Sequence, residues 1–186
     1  MKYSTRSGYS AVMQSLHWIT AILVLIAFVL GPGGTEDAVY SSGHAFDREL
    51  HETLGISIFA ITCFRLLWQT FENRPEFRKT PWWMEVSANA MKLGLYFLLL
   101  AVPLTAISGA WLEGHSLTFL AGVQIAPPVN TAHGIGKALA EIHSWLGDTI
   151  LWLAGIHSAA ALYHHLILKD AVLRSMLPRW IPFQRD

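Results

Sequence analysis

Long apolar runs alternate with short polar stretches along this chain. Four runs are close to or above the roughly 20 residues that an α-helix needs to cross about 30 Å of hydrocarbon. They cover residues 10–30, 53–69, 86–112 and 142–168. Stretches rich in glycine, proline and charged residues separate them. The pattern predicts an all-α membrane protein, a bundle of four transmembrane helices that forms a single domain over residues 1–186.

Composition favours the same class of protein. Only 14% of the residues are charged, whereas about a quarter are charged in an ordinary soluble domain. The first apolar run is longer than the apolar core of a typical signal peptide and lacks a small-residue cleavage pattern, so we interpret it as a transmembrane helix. Cys63 is the only cysteine, which excludes an intramolecular disulfide and a C-x-x-C-H site for covalent haem attachment.

The basic residues are distributed unevenly between the two ends of the predicted helices. Only Arg48 and Lys137 fall on one side. The other eleven of the thirteen basic residues precede the first run, flank the second connection or follow the fourth run: Lys2, Arg6, Arg65, Arg74, Arg78, Lys79, Lys92, Lys169, Arg174, Arg179 and Arg185. The positive-inside rule therefore predicts that both the N-terminus and the C-terminus are cytoplasmic.

Four histidines lie within or at the ends of the apolar runs, and their depths can be compared. His17 is within about two turns of the cytoplasmic end of the first run, and His51 opens the second run at the outer boundary. His143 is at the outer boundary of the fourth run. His157 follows it by fourteen residues, about 21 Å deeper and on nearly the same helix face. The topology therefore matches His51 with His143 and His17 with His157.

Paired imidazoles that face each other across a helix bundle are what bis-histidine ligation of two stacked b haems requires. A neutral imidazole nitrogen can donate to iron. Glycines one turn from two of the histidines leave room for a flat macrocycle. The sequence predicts two non-covalent haem b groups, and the predicted metal-ligating and cofactor-binding residues are His17, His51, His143, His157, Gly55 and Gly147.

Two further polar residues share these helix faces. Arg65 follows His51 by fourteen residues and lies at the cytoplasmic level, where it can pair with a haem propionate or reach the interface as a snorkelling side chain. His164 shares the face of His157, and we interpret it as a candidate for a quinone site or a proton path. Both alternatives for each residue stay open at this point.

Other histidines have simpler interpretations. His44, His115 and His133 lie in predicted loops, and we interpret them as surface residues. Zinc is a rival ligand for the four membrane histidines, but the gap of about 21 Å leaves two separate pairs, whereas a structural zinc ion prefers four ligands together. Pro103 is predicted to kink the third helix, which carries no histidine.

Short motifs in a fixed order run through nearly the whole chain. They are LHW at 16–18, HETLGISI at 51–58 with Arg65 beyond it, Tyr96 with the Pro103 region, EIH at 141–143, GIHSAAALYHH at 155–165 and KDAVLRSMLP at 169–178. This set resembles the bacterial cytochrome b561 family, which is related to the cytochrome b subunits of nickel hydrogenases. The resemblance implies a four-helix bundle in the bacterial inner membrane, with two b haems held by the pairs His17–His157 and His51–His143.

The resemblance also implies electron transfer between a donor and the quinone pool. Because the family includes a superoxide oxidase that reduces ubiquinone, the expected activity is that of a superoxide:ubiquinone-type oxidoreductase. Expected partners are membrane lipid, ubiquinone, and superoxide or a periplasmic redox protein, with no nucleic acid. Two alternatives remain: a non-catalytic electron-transfer subunit for a partner redox protein, and a haem-free metal or proton transporter that uses the intramembrane histidines.

The predicted outer surface is acidic. Eight acids fall on this side: Glu36, Asp37, Asp47, Glu49, Glu52, Glu113, Glu141 and Asp148. Such a surface repels a superoxide anion unless Arg48 and Lys137, with neighbouring histidines, form a local basic patch. The same surface can instead dock a basic soluble electron carrier.

Overall fold

Four long helices dominate the computed structural model, which describes residues 8–33, 36–72, 81–120 and 122–177. The elements in chain order are α1 (Ala11–Val29), α2 (Glu36–Val39), a 3-10 turn (Ser42–His44), α3 (Ala45–Gln69), α4 (Trp82–Glu113), β1 (Leu117–Thr118), β2 (Gln124–Ile125), α5 (His133–Leu166) and α6 (Val172–Ser175). The two short strands pair in antiparallel orientation, with Leu117 opposite Ile125. The predicted helical class is therefore confirmed.

All four long helices contribute to one apolar core. Its buried residues are Ala27 of α1, Ile58 of α3, Leu98 and Leu99 of α4, and Ile150 of α5. Helix α1 packs on α3, α3 packs on α4, and α4 packs most extensively on α5. Among the described residues, α5 is not extensively packed on α1 or α3. Side chains of α5 therefore approach those two helices across a wider gap.

The outward faces of the long helices carry many large apolar side chains, such as Val29 at 70% and Phe97 at 65% exposed. In the described part of the chain, three segments are long and apolar enough to cross a membrane: α1, residues Ser42–Gln69, and α4. Helix α5 is not among them, because its five histidines and several charged residues lower its overall apolar character. A fourth crossing over 142–168 stays a prediction.

Two helices extend well beyond the apolar runs that predicted them. Helix α3 begins at Ala45 rather than at 53, and α5 begins at His133 rather than at 142. The prediction that His133 lies in a loop is therefore wrong. The extra turns are polar, so hydropathy does not report them. In α5 they are stabilised by close packing on α4, where a Cβ added at Gly136 would lie 3.0 Å from the Glu113 backbone nitrogen.

The start of α1 is tied to the end of α3 and to α6. The Ser10 side chain caps α1 by accepting from the Met13 backbone N–H at 3.3 Å. The Ser10 backbone N–H and hydroxyl both donate to the Glu72 carboxylate at 2.8 Å. The Gln14 side-chain amide donates to the Ser175 carbonyl at 3.0 Å. These bonds bring the ends of three elements together at the predicted cytoplasmic side.

Candidate functional site

His51 of α3 and His143 of α5 face each other at the predicted outer level. Their ring centroids are 6.0 Å apart, and the ring planes are inclined at 86°. His51 Nδ1 lies 2.9 Å from the Ala27 carbonyl oxygen, and His143 Nδ1 lies 2.9 Å from the Val102 carbonyl oxygen. Because a carbonyl oxygen only accepts hydrogen bonds, each Nδ1 carries the proton. Each Nε2 therefore keeps a lone pair for a metal.

His17 of α1 and His157 of α5 form a second pair at the predicted inner level. Their ring centroids are 6.3 Å apart, and the planes are inclined at 74°. A side chain, rather than the backbone, contacts this pair: Arg65 Nη2 lies 3.3 Å from His17 Nδ1. A guanidinium only donates, so His17 Nδ1 accepts in this arrangement. The inner pair therefore differs from the outer pair in how its rings are held.

Arg65 has unused hydrogen-bonding capacity. Its Cζ lies 5.3 Å from the centroid of the Tyr96 ring, within the range of a cation–π contact. Its Nε is buried and has no hydrogen-bond partner among the described residues. A buried N–H group without an acceptor is unfavourable. The guanidinium is therefore suited to bind an anionic group at the inner level.

The two histidine pairs fit haem in separation and in surrounding space. Two metal–imidazole bonds of about 2 Å and two ring radii of about 1 Å together span roughly 6 Å, which is close to both observed separations. A Cβ added at Gly55 or Gly147 would meet no heavy atom within 4 Å. Within the described residues, no three His, Cys, Asp or Glu side chains are grouped to hold a metal ion. The four histidines are instead grouped in two opposed pairs, the arrangement that axial ligation requires.

Comparison with known protein families gives an independent result. The sequence profile described as "Prokaryotic cytochrome b561" matches residues 8–179. The chain belongs to the prokaryotic cytochrome b561 family. Proteins of this family are membrane electron-transfer proteins that bind b haem.

Three curated relatives illustrate the likeness of this cytochrome b561 chain to known proteins. "Cytochrome b561 homolog 1" of Escherichia coli K12 is 31% identical over 172 residues, 92% of this chain and 97% of the relative. "Cytochrome b561 homolog 2" of the same organism is 26% identical, covering 94% of this chain and 93% of the relative. "Probable superoxide oxidase CybB" of Yersinia pestis is 28% identical, covering 92% and 96%.

The other predicted site residue of this cytochrome b561 chain lies near the end of α5. His164 Nδ1 lies 2.5 Å from Asp170 Oδ2, and Asp170 Oδ1 accepts from the Val172 backbone N–H at 3.0 Å. Sequence reasoning missed Asp170 because the contact depends on a turn. Lys169 adopts a left-handed conformation there, with φ of 51°. The structure does not bring His164 into the pair formed by His17 and His157.

The three remaining histidines that the sequence placed in loops lie apart from the two pairs. His44 is exposed and lies 3.7 Å from Asp47, while His133 is the exposed first residue of α5. The His115 ring stacks on Tyr40, with centroids 3.4 Å apart and planes inclined at 13°. None of these three rings forms a ring contact with His17, His51, His143 or His157 among the described contacts.

The predicted outer basic patch is partly neutralised. Arg48 Nε lies 3.7 Å from Glu52 Oε1, and Arg48 Cζ lies 5.1 Å from the Tyr40 ring centroid. Glu52 also accepts from the Thr118 backbone N–H, which ties the β1 strand to the first half of α3. Glu52 directly follows His51, so this carboxylate and the Arg48 guanidinium lie within one turn of the outer pair. Their opposite charges weaken any attraction for an anion there.

Proposed function

We propose that this cytochrome b561 chain is a di-haem b oxidoreductase of the bacterial inner membrane that transfers electrons between a periplasmic-side donor and the ubiquinone pool. Four membrane crossings with cytoplasmic termini belong to this proposal. The observation that carries it is the presence of two opposed imidazole pairs, 6.0 and 6.3 Å apart, on helices that share one core. Superoxide is the candidate donor, supported by the name of the relative from Yersinia pestis.

Haem b supplies one-electron transfer when it is bound. The work of the protein is then to hold, orient and shield the group. His51 and His143 would hold the outer group through Nε2, and the carbonyls of Ala27 and Val102 fix both rings through Nδ1. Such a carbonyl partner sets the tautomer and raises the basicity of the ligating nitrogen.

His17 and His157 would hold the inner group, and Arg65 would supply charge balance. Ligation through His17 Nε2 needs the proton on Nδ1, so the Arg65 guanidinium must then bind another acceptor. A propionate carboxylate is an acceptor of the right charge, and charge-assisted hydrogen bonds of this type are strong. The unpartnered Arg65 Nε supports this role.

The loop that contains β1, residues 117–120, covers the turn of α3 that carries His51. The Thr118 backbone N–H donates to Glu52, and the Leu120 backbone N–H donates to the Thr53 hydroxyl at 3.1 Å. Leu117 of β1 is itself only 6% exposed. Because the loop is bonded to α3 at two adjacent residues, it limits the access of water to the outer pair.

A second candidate function is a non-catalytic electron-transfer subunit that serves a partner redox protein. The ion pair between Arg48 and Glu52 favours it, because the pair reduces the positive potential that would attract superoxide. The two candidates make different predictions for purified protein. The oxidoreductase reduces ubiquinone with superoxide by itself, whereas the subunit is reducible but does not turn over these substrates.

The first experiment is haem quantification with an optical spectrum, on the wild type and on four single alanine variants. We expect about two haem per chain in the wild type, and loss of one haem when any of His17, His51, His143 or His157 is changed. His44→Ala is the matched control and should retain both. Full haem content in His143→Ala would contradict the proposed pairing.

A further inference from the structure

Helix α5 presents a polar and aromatic face on the side away from the bundle. At about 100° per residue, Asp148 lies roughly 140° around the helix from His143 and about 180° from His157. Trp145 and Trp152 are 75% and 77% exposed, and Asp148 is exposed between them. Asp148 forms no hydrogen bond or ion pair with any residue of the described ranges. This face therefore points to the surroundings and not to the histidine pairs.

Helix α1 provides a measure of the depth of Asp148. It has 19 residues without a charge, about 28 Å, which is close to the thickness of the hydrocarbon. His51 bonds to Ala27, two residues from the outer end of α1, and lies opposite His143. Asp148 is five residues further along α5, about 7–8 Å deeper. If α5 crosses the membrane as proposed above, Asp148 lies roughly 10 Å below the outer edge of the hydrocarbon.

The same face has the spacing of a helix–helix contact. Trp145, Asp148, Trp152, Gly155 and Ala159 follow one another at alternating intervals of three and four residues, as along a coiled-coil seam. Gly155 and Ala159 are small and four residues apart, which lets a neighbouring backbone approach closely. A Cβ added at Gly155 would meet nothing within 4 Å. The part of this face around Gly155 is therefore open to a neighbouring helix.

We propose that this face of α5, from Trp145 to Ala159, binds a membrane-spanning helix of another protein that places an arginine or lysine opposite Asp148. An ionised carboxylate that faces lipid is costly, and charged residues within membranes nearly always pair. The proposal rests on the fourth crossing included in the proposed function. The small residues Gly155 and Ala159 would admit the partner backbone, and Trp145 and Trp152 would pack on its side chains.

A second copy of this chain is a poorer occupant. A parallel two-fold contact through this face brings each Asp148 close to its counterpart, and like charges repel. The described basic residues also lie elsewhere: at the predicted outer ends of helices, at the inner side, or inside the bundle. They are Arg48, Arg65, Lys92, Lys137, Lys169 and Arg174. Charge complementarity therefore favours a different chain.

The test uses the full chain, purified with haem and reconstituted in phosphatidylcholine vesicles. The probe is a labelled leucine–alanine transmembrane peptide with one arginine about 10 Å below its outer end. We expect resonance energy transfer between peptide and protein. Replacing the peptide arginine by leucine, or introducing Asp148→Leu, should weaken association by roughly threefold to tenfold. Glu141→Gln, which changes a carboxylate near the outer end of the same face, should have no effect.

Three results would overturn the proposal. If the peptide without arginine associates as well as the peptide with arginine, a charge pair with Asp148 is excluded. Energy transfer between two labelled copies of the protein, without peptide, makes a second copy the occupant. In a Cys63→Ser background, labelling of Asp148→Cys by a membrane-impermeant maleimide as fast as Glu141→Cys removes the premise of depth. The haem spectrum of each variant distinguishes these failures from failure of the proposed function. The proposed function fails if the wild-type protein itself shows no haem signal.

Discussion

Arg65 offers a quantitative test of how the inner site is tuned. Its Nη2 lies 3.3 Å from His17 Nδ1. The imidazole ring and a metal–nitrogen bond add about 4 Å, so the guanidinium charge would lie roughly 7 Å from an iron held by His17. Replacing Arg65 with glutamine removes this positive charge. Loss of a nearby positive charge favours the oxidised, more positive iron, so the midpoint potential of the inner haem should fall.

The size of the shift follows from Coulomb's law. One unit charge at about 7 Å, with an effective dielectric constant of about 20, contributes roughly 2 kcal/mol. At about 59 mV per tenfold change for a one-electron couple, this corresponds to roughly 90 mV. Solvent screening of the half-buried guanidinium reduces the expected shift to about 50–90 mV. The outer site is about 21 Å away, where the same relation gives roughly one third of the inner shift, about 20–35 mV.

Redox titration followed by the optical α-band measures both potentials in one experiment. Arg65→Lys keeps the charge and is the matched control, with an expected shift below half of that in Arg65→Gln. Haem content should be determined for both variants, so that a shift is assigned to a fully loaded site. An unchanged inner potential, or an equal fall in both potentials, would refute the assignment of Arg65 to the inner level.

Two further predictions concern space and stability. Gly147→Leu should reduce haem content at the outer site, because the leucine side chain would enter the open space beside His143. The control is Gly134→Leu at the start of α5, which also lacks close neighbours and should keep its haem. Pyridine haemochrome assays measure both, and equal haem content in the two variants would contradict a role for Gly147 in making room for haem. Glu72→Gln should destabilise the protein by about 1–3 kcal/mol, because Glu72 accepts two bonds from Ser10 at 2.8 Å. Unfolding in detergent measures this loss, and unaltered stability would show that the contact is dispensable.

The helices were predictable from sequence because their membrane-facing parts are apolar over whole turns, but their ends were not. The first turns of α3 and α5 are polar, and their stability comes from packing on neighbouring elements. Hydropathy cannot detect such contacts. His133 shows the consequence, since it was expected in a loop and instead begins α5.

The candidate site was likewise predictable from the sequence only in part. The fourteen-residue spacing of His143 and His157 fixes their shared face and their separation along α5, so the sequence could suggest which histidines meet. It could not suggest what orients them. Ala27 and Val102 contribute backbone carbonyls, which every residue type carries, so no sequence pattern marks them. Asp170 was equally hidden, since its contact with His164 depends on the left-handed turn at Lys169.

The use of main-chain oxygens to orient His51 and His143 has an evolutionary consequence. A side-chain acceptor can be lost by a single base change, but substitution at Ala27 or Val102 leaves the carbonyl in place as long as the helix persists. Substitutions at these two positions can therefore change lipid contacts and core volume without changing which nitrogen of each ring carries the proton. The inner pair lacks this protection, because its ring contact comes from the replaceable side chain of Arg65.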